Sequence, residues 1–190
     1  RGFHHNWGIM DGTESSPFPL HTWLGFGVQS ESKPSRMVAS FVPTSHIITV
    51  MLEGCLDVRR VRAREESRWT ELPGTVSFTP ADDREHEGIL ESHGRWQAHV
   101  FLIPRRQIQQ CLEEDGIRPP DELVEGLWHG DLALTAMLCR LAAISSGGNP
   151  VSELQTEQDA RAVLRRIATL QGSPNPDWQL SLIHISEPTR

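Results

Sequence analysis

The chain has 190 residues and a net charge of −7, with 37% hydrophobic and 23% charged residues. That size and balance describe a globular protein with one core of ordinary size, and no apolar run approaches the length of a membrane-spanning helix. The acidic charge argues against nucleic-acid binding by these residues, because phosphate contacts need clustered Lys and Arg, and Lys33 is the only lysine. Cys55, Cys111 and Cys139 are odd in number and widely spaced, so a disulfide framework is not expected and a reducing cytoplasm is.

Residues 1–20 have no apolar h-region and no period, and are expected to form a loose N-terminal arm. From His21 the pattern is that of β-strands. Strands are expected over His21–Val28, Met37–Val42 and Ser45–Glu53, the last rich in β-branched residues. Glu53-Gly54 turns the chain into Cys55–Arg64. There Leu56 and Val58 are expected to face inward and, after a phase change, Val61 and Ala63. Glu65-Glu66 reads as a turn and Trp69–Leu72 as a lead-in to the next segment.

That segment, LPGTVSFTPADDREHE, runs from Leu72 to Glu87. Pro73-Gly74 is a tight-turn dipeptide. Thr75–Thr79 alternates as a half-buried strand does, and Pro80 ends it. Ala81-Asp82-Asp83 makes a polar corner before His86, and runs at Gly88–Glu91 and Arg95–Ile103 complete the β half. So many short strands between turn signals indicate a barrel or sandwich.

After Pro104 the period becomes helical. Helices are expected over Arg105–Asp115, Pro119–Gly126, Leu132–Ser146 and Thr156–Gln171, with Asp131 as an N-cap. Ser173–Asp177 reads as a Pro-rich linker. The final LSLIHISEPTR, residues 180–190, resembles the translation of a transposon-end adapter used to prepare sequencing libraries. It is set aside from the fold, and the natural protein is expected to continue past Gln179.

The nine histidines invite a metal reading, but no H-x-H pair is present, and His86 reads first as a histidine that closes a turn. No metal site and no cofactor is therefore expected. Nor is a catalytic residue: there is no G-x-S-x-G and no Gly-rich phosphate loop. The acidic run Asp82, Asp83, Glu85 and Glu87, with Arg84 among it, reads as a solvated turn. Trp23, Trp69 and Trp96 fall on expected strands, where they pack the core or line a cavity. With Thr49, His86 and His99 they form the candidate pocket for a small ligand.

In order along the chain, SHIITVMLEGCLDVRRVRA, LPGTVSFTPADDREHE, RWQAHVFLIPRRQIQQCLEE and ARAVLRRIATLQGSPNPDWQ resemble the N-terminal, effector-binding half of AraC/XylS-type transcriptional regulators. The resemblance covers about Trp23 to Gln179, and its Pro-Gly turn, strand and histidine are shared by cupin barrels. It implies an α+β fold: a cupin-like antiparallel β-barrel over residues 21–104, then a helical dimerisation or support segment over 105–172. Residues 173–179 would be a truncated linker. It also implies a small-molecule effector, a homodimer formed through the helices, and DNA contact only through a C-terminal helix-turn-helix half that this chain lacks. The alternatives are a stand-alone cupin enzyme, either an isomerase or a metal-dependent oxygenase, and a metabolite-binding cupin without a regulatory role.

Overall fold

A computed structural model describes residues 23–30, 35–62, 65–146 and 152–171. The expected N-terminal arm, the linker and the adapter-like tail lie outside the described residues.

The order is strands, then helices. Eight strands come first: β1 (Leu24–Ser30), β2 (Ser35–Phe41), β3 (Ser45–Glu53), β4 (Leu56–Arg62), β5 (Glu65–Glu71), β6 (Val76–Thr79), β7 (His86–Ser92) and β8 (Trp96–Pro104). Then follow α1 (Gln107–Glu114), β9 (Gly126–Trp128), α2 (Leu132–Ser145) and α3 (Glu153–Gln171). The strands form two antiparallel sheets. The central sheet runs β1-β8-β3-β6-β9 and the outer sheet β2-β7-β4-β5.

Two apolar clusters define three layers. Ile48, Val50, Phe78, Phe101 and Ile103 of the central sheet pack with Leu112, Leu134, Leu138, Leu141 and Leu164 of the helices. Met51, Trp96 and Ala98 from the same sheet pack the other way, against Leu56 and Val58 of the outer sheet. The central sheet is thus covered on both faces. That is why Val76–Thr79 is buried at every position rather than at alternate ones.

Turns and caps fix the register. Gly54, at φ 85°, joins β3 to β4, where a Cβ would come within 2.2 Å of the Arg95 carbonyl oxygen. Asp131 caps α2 as expected, accepting from the Leu134 amide at 3.0 Å. Its second oxygen accepts from Arg166 Nε at 2.8 Å, which ties α3 to the start of α2.

Three expectations are corrected. Pro119–Gly126 is not a helix: it leads into β9, whose Trp128 pairs with Val76 and covers the open edge of β6. Glu65-Glu66 is the start of β5, not a turn. In β4 the alternation runs unbroken, as Val61 pairs with Glu66 and Glu87 on the solvent side. Arg60 and Arg62 therefore stay on the face of Leu56 and Val58.

Candidate ligand site between the sheets

The unbroken alternation of LDVRRVR decides what lies between the sheets. Directly opposed residues in antiparallel strands share a face. Val58 pairs with Leu90 and Trp69, and all three belong to the apolar cluster between the sheets. Two residues on, Arg60 pairs with Gly88 and Ser67; two further, Arg62 pairs with His86 and Glu65. The outer sheet thus turns an apolar end and a basic end toward the central sheet.

The facing wall comes from β1, β8, β3 and β6. Phe26 pairs with Val100, Val100 with Thr49, and Thr49 with Ser77. The next row inside the same face holds Leu24, Leu102, Ile47 and Thr79. Ile47, Thr49, Val100 and Leu102 are half-buried, whereas their neighbours Ile48, Val50, Phe101 and Ile103 on the helix side are 0% exposed. The inter-sheet face of the central sheet is buried at its Met51–Trp96 end and its side chains are more accessible at the Ile47–Leu102 end.

Arg60 bridges the two walls. Its Nη1 donates to Thr79 Oγ1 at 2.8 Å and pairs with the Glu125 carboxylate, which lies just before β9. The guanidinium stands 5.0 Å from the centre of the Trp69 ring, within cation–π range. Burial pushes Arg60 down to about 10, so it remains charged at neutral pH. Nearby, Glu71 is buried and accepts from Trp69 Nε1 at 3.1 Å. Burial pushes its carboxyl above the usual range, against the opposing pull of hydrogen bonds from Trp69 and Ser77.

At the accessible end, Asp82 takes Arg62 Nη2 at 2.7 Å and His86 Nε2 at 3.4 Å. His86 is 2% exposed and packs against Phe41, with ring centres 5.7 Å apart. Burial lowers its pKa, with the Asp82 hydrogen bond opposing. Its Nδ1 has no hydrogen-bond partner among the described residues, nor has Trp96 Nε1 at the closed end.

Of the candidate pocket residues, Thr49, Trp69, His86 and Trp96 lie on the inter-sheet faces. Trp23 and His99 lie on the other side of the central sheet. Trp23 packs edge-on to Phe101, 6.3 Å between centres, within the helix-side core. His99 Nε2 meets Ser145 Oγ of α2 at 2.7 Å, and burial pushes its imidazole down to about 4. His46 is also on the helix side. Its Nδ1 accepts from the Ala81 amide and its Nε2 donates to the Arg105 carbonyl, each at 2.9 Å, so its neutral tautomer is set by backbone. The sequence reading missed Arg60, Arg62, Ser77 and Thr79, and strict period-two counting along β4 and β6 would have placed them.

Chemically, the inter-sheet faces set cationic groups of the outer sheet, Arg60 and Arg62, against hydroxyls of the central sheet, Thr49, Ser77 and Thr79, beside an apolar cluster. Among the described residues, no three of His, Cys, Asp and Glu lie close enough together to hold a metal ion. The three cysteines are free thiols.

No protein-family model and no curated protein matches this chain. Solved structures do. The apo form of a ToxT variant from Vibrio cholerae superimposes with a TM-score of 0.60 at 10% identity, covering 80% of this chain and 58% of that one. Wild-type ToxT from Vibrio cholerae bound to an unsaturated fatty acid gives 0.56 at 12%, covering 89% and 66%. The AraC-like transcriptional activator CuxR gives 0.50 at 12%, covering 82% and 54%. The fold is the one shared by ToxT and the AraC-like CuxR. At these identities the likeness is one of fold, and this chain spans 54–66% of the length of those three proteins.

Proposed function

We propose that this chain is the ligand-sensing and dimerisation part of an AraC-type transcriptional regulator, and that a small-molecule effector binds between its two sheets. The observation that carries the reading is the pairing of this fold with an inter-sheet face that is half-open and mixed in character. Ile47, Thr49, Val100 and Leu102 are partly accessible there, opposite Arg60 and His86. A wall built only for stability would be as closed as the helix side. ToxT with an unsaturated fatty acid bound supports the idea that this architecture accommodates small molecules.

In this reading, DNA is bound by a helix-turn-helix half encoded beyond the described residues, and the regulator works in the cytoplasm. The helical segment joins two copies: Leu132 at the start of α2 and Leu154 at the start of α3 are exposed at 81% and 66%. Sedimentation analysis should give a dimer, and a monomer at every concentration reached would contradict that part.

The test of the whole reading is the genomic sequence after Gln179. Codons for two helix-turn-helix units are expected, and a stop codon at that point would sink the regulator reading. Stoichiometric iron, manganese or zinc in the purified protein would favour an enzyme instead.

A further inference from the structure

Three consecutive residues just before β9 tie together parts of the molecule that are far apart in the chain. Leu123 packs against the helix-side core. Val124 is held by its main chain: its amide donates to Gln171 Oε1 at 2.8 Å, and its carbonyl accepts from Gln171 Nε2 at 2.9 Å. The Gln171 carboxamide does for Val124 what a neighbouring strand does for a residue in a sheet, and Gln171 is the last residue of α3. Glu125 makes the next contact, its carboxylate pairing with Arg60 Nη1 from the inter-sheet space.

The Arg60 and Glu125 side chains are only 13% and 23% exposed, so the pair is largely desolvated and neither charge is left alone without cost. Glu125 therefore follows Arg60. On its C-terminal side a shift of Glu125 is blocked. Gly126 pairs with Phe78 of β6, and a Cβ on Gly126 would come within 2.5 Å of the Trp128 ring. On its N-terminal side the hold on Val124 is a side-chain amide at an exposed helix end, which gives way more readily.

We propose that Leu123–Glu125 is a strap that relays the state of the inter-sheet space to the end of α3. A ligand that draws Arg60 away from Glu125 frees the carboxylate and loosens the Val124–Gln171 clamp. Glu125 and Gln171 are positioning residues in this relay. The DNA-binding half of the proposed regulator would follow Gln171 in the chain, so the loosened clamp would reach it first. That meaning rests on the sensing reading, whereas the coupling between Arg60 and Gln171 stands without it.

The experiment follows the Gln171 side-chain amide by NMR on the full chain. Glu125→Gln keeps the shape and removes the charge that answers Arg60. It is expected to shift the Gln171 carboxamide signals and speed their exchange with solvent several-fold, leaving the Asp131-capped Leu134 amide unchanged. Coupling is reciprocal, so Gln171→Ala should shift the Arg60 guanidinium signals. The double variant should lower the urea midpoint by less than the sum of the single effects, since each breaks the same strap. Circular dichroism checks the fold of each variant. If Glu125→Gln does not fold, Gln171→Ala, at a helix end, carries the test through the Arg60 signals. Gln171 signals unchanged in Glu125→Gln, Arg60 signals unchanged in Gln171→Ala, or additive midpoints overturn the relay and leave the sensing reading standing. A stop codon after Gln179 sinks the regulator reading without touching this coupling.

Discussion

The two faces of the central sheet are built from alternate residues of the same strands, yet they differ in kind. Toward the helices, Ile48, Val50, Phe101 and Ile103 are 0% exposed and meet Leu134, Leu138 and Leu141, also at 0%. The histidines on that face, His46 and His99, are buried and held by hydrogen bonds. Toward the outer sheet, Ile47, Thr49, Val100 and Leu102 are half-buried and face a charged arginine. One face is closed core and the other is partly open. A single strand can serve both ends because its side chains alternate with period two.

The sharpest way to break the comparison is to truncate neighbours in β8. Phe101→Ala should cost about 3–5 kcal/mol in urea unfolding, as expected for emptying a packed aromatic site. Leu102→Ala, next door on the other face, should cost under about 1.5 kcal/mol, because its site is already partly open. Equal costs would erase the distinction.

Acid should attack the helix-side face next. The His99 imidazole is neutral when folded, with its pKa pushed down to about 4 by burial, against 6.5 as the ordinary value. Between those values the unfolded chain binds more protons than the folded one. Stability from this site is therefore full above about pH 6.5 and falls as pH drops toward 4, by on the order of 3 kcal/mol. His46 and His86 are lowered too and act in the same direction. Urea midpoints across this range should show the loss, and His99→Gln should flatten part of it.

Smaller effects are expected where the helices are pinned. Asp131→Ala removes the cap of α2 and a partner of Arg166, and should cost about 1 kcal/mol by thermal unfolding. Arg140 makes a two-pronged contact with Asp159, both bonds 2.9 Å, but its side chain is 53% exposed. Arg140→Ala should cost under about 1 kcal/mol, and less still in high salt.

Much of the fold was legible in the sequence because strand alternation and helix stripes report burial directly. Asp131 and the apolar positions of α2 and α3 show this. Where the reading failed, long-range pairing had overridden local pattern. Leu127 and Trp128 form a strand because β6 offers an edge, which no short window reveals. Val76–Thr79 alternates in polarity yet is buried throughout, since the helices cover Val76 and Phe78 on one face while Ser77 and Thr79 face the outer sheet, from which Arg60 reaches Thr79.

For the candidate site, only the strand positions of its residues were legible in the sequence. Thr49, Trp69, His86 and Trp96 followed from strand position, but Trp23 and His99 fall on the opposite face. Arg60 was lost because an inward arginine looks wrong by hydrophobicity alone. A phase change in β4 would turn it outward, whereas the register with Gly88 and Ser67 keeps it inside.

The most direct test of a closed face and a partly open face on one sheet is methyl NMR with a dissolved nitroxide, which broadens the signals it can approach. Broadening is predicted at Ile47, Val100 and Leu102, with Ile48, Val50, Ile103, Leu134 and Leu138 little changed. Equal broadening on the two faces would contradict the account.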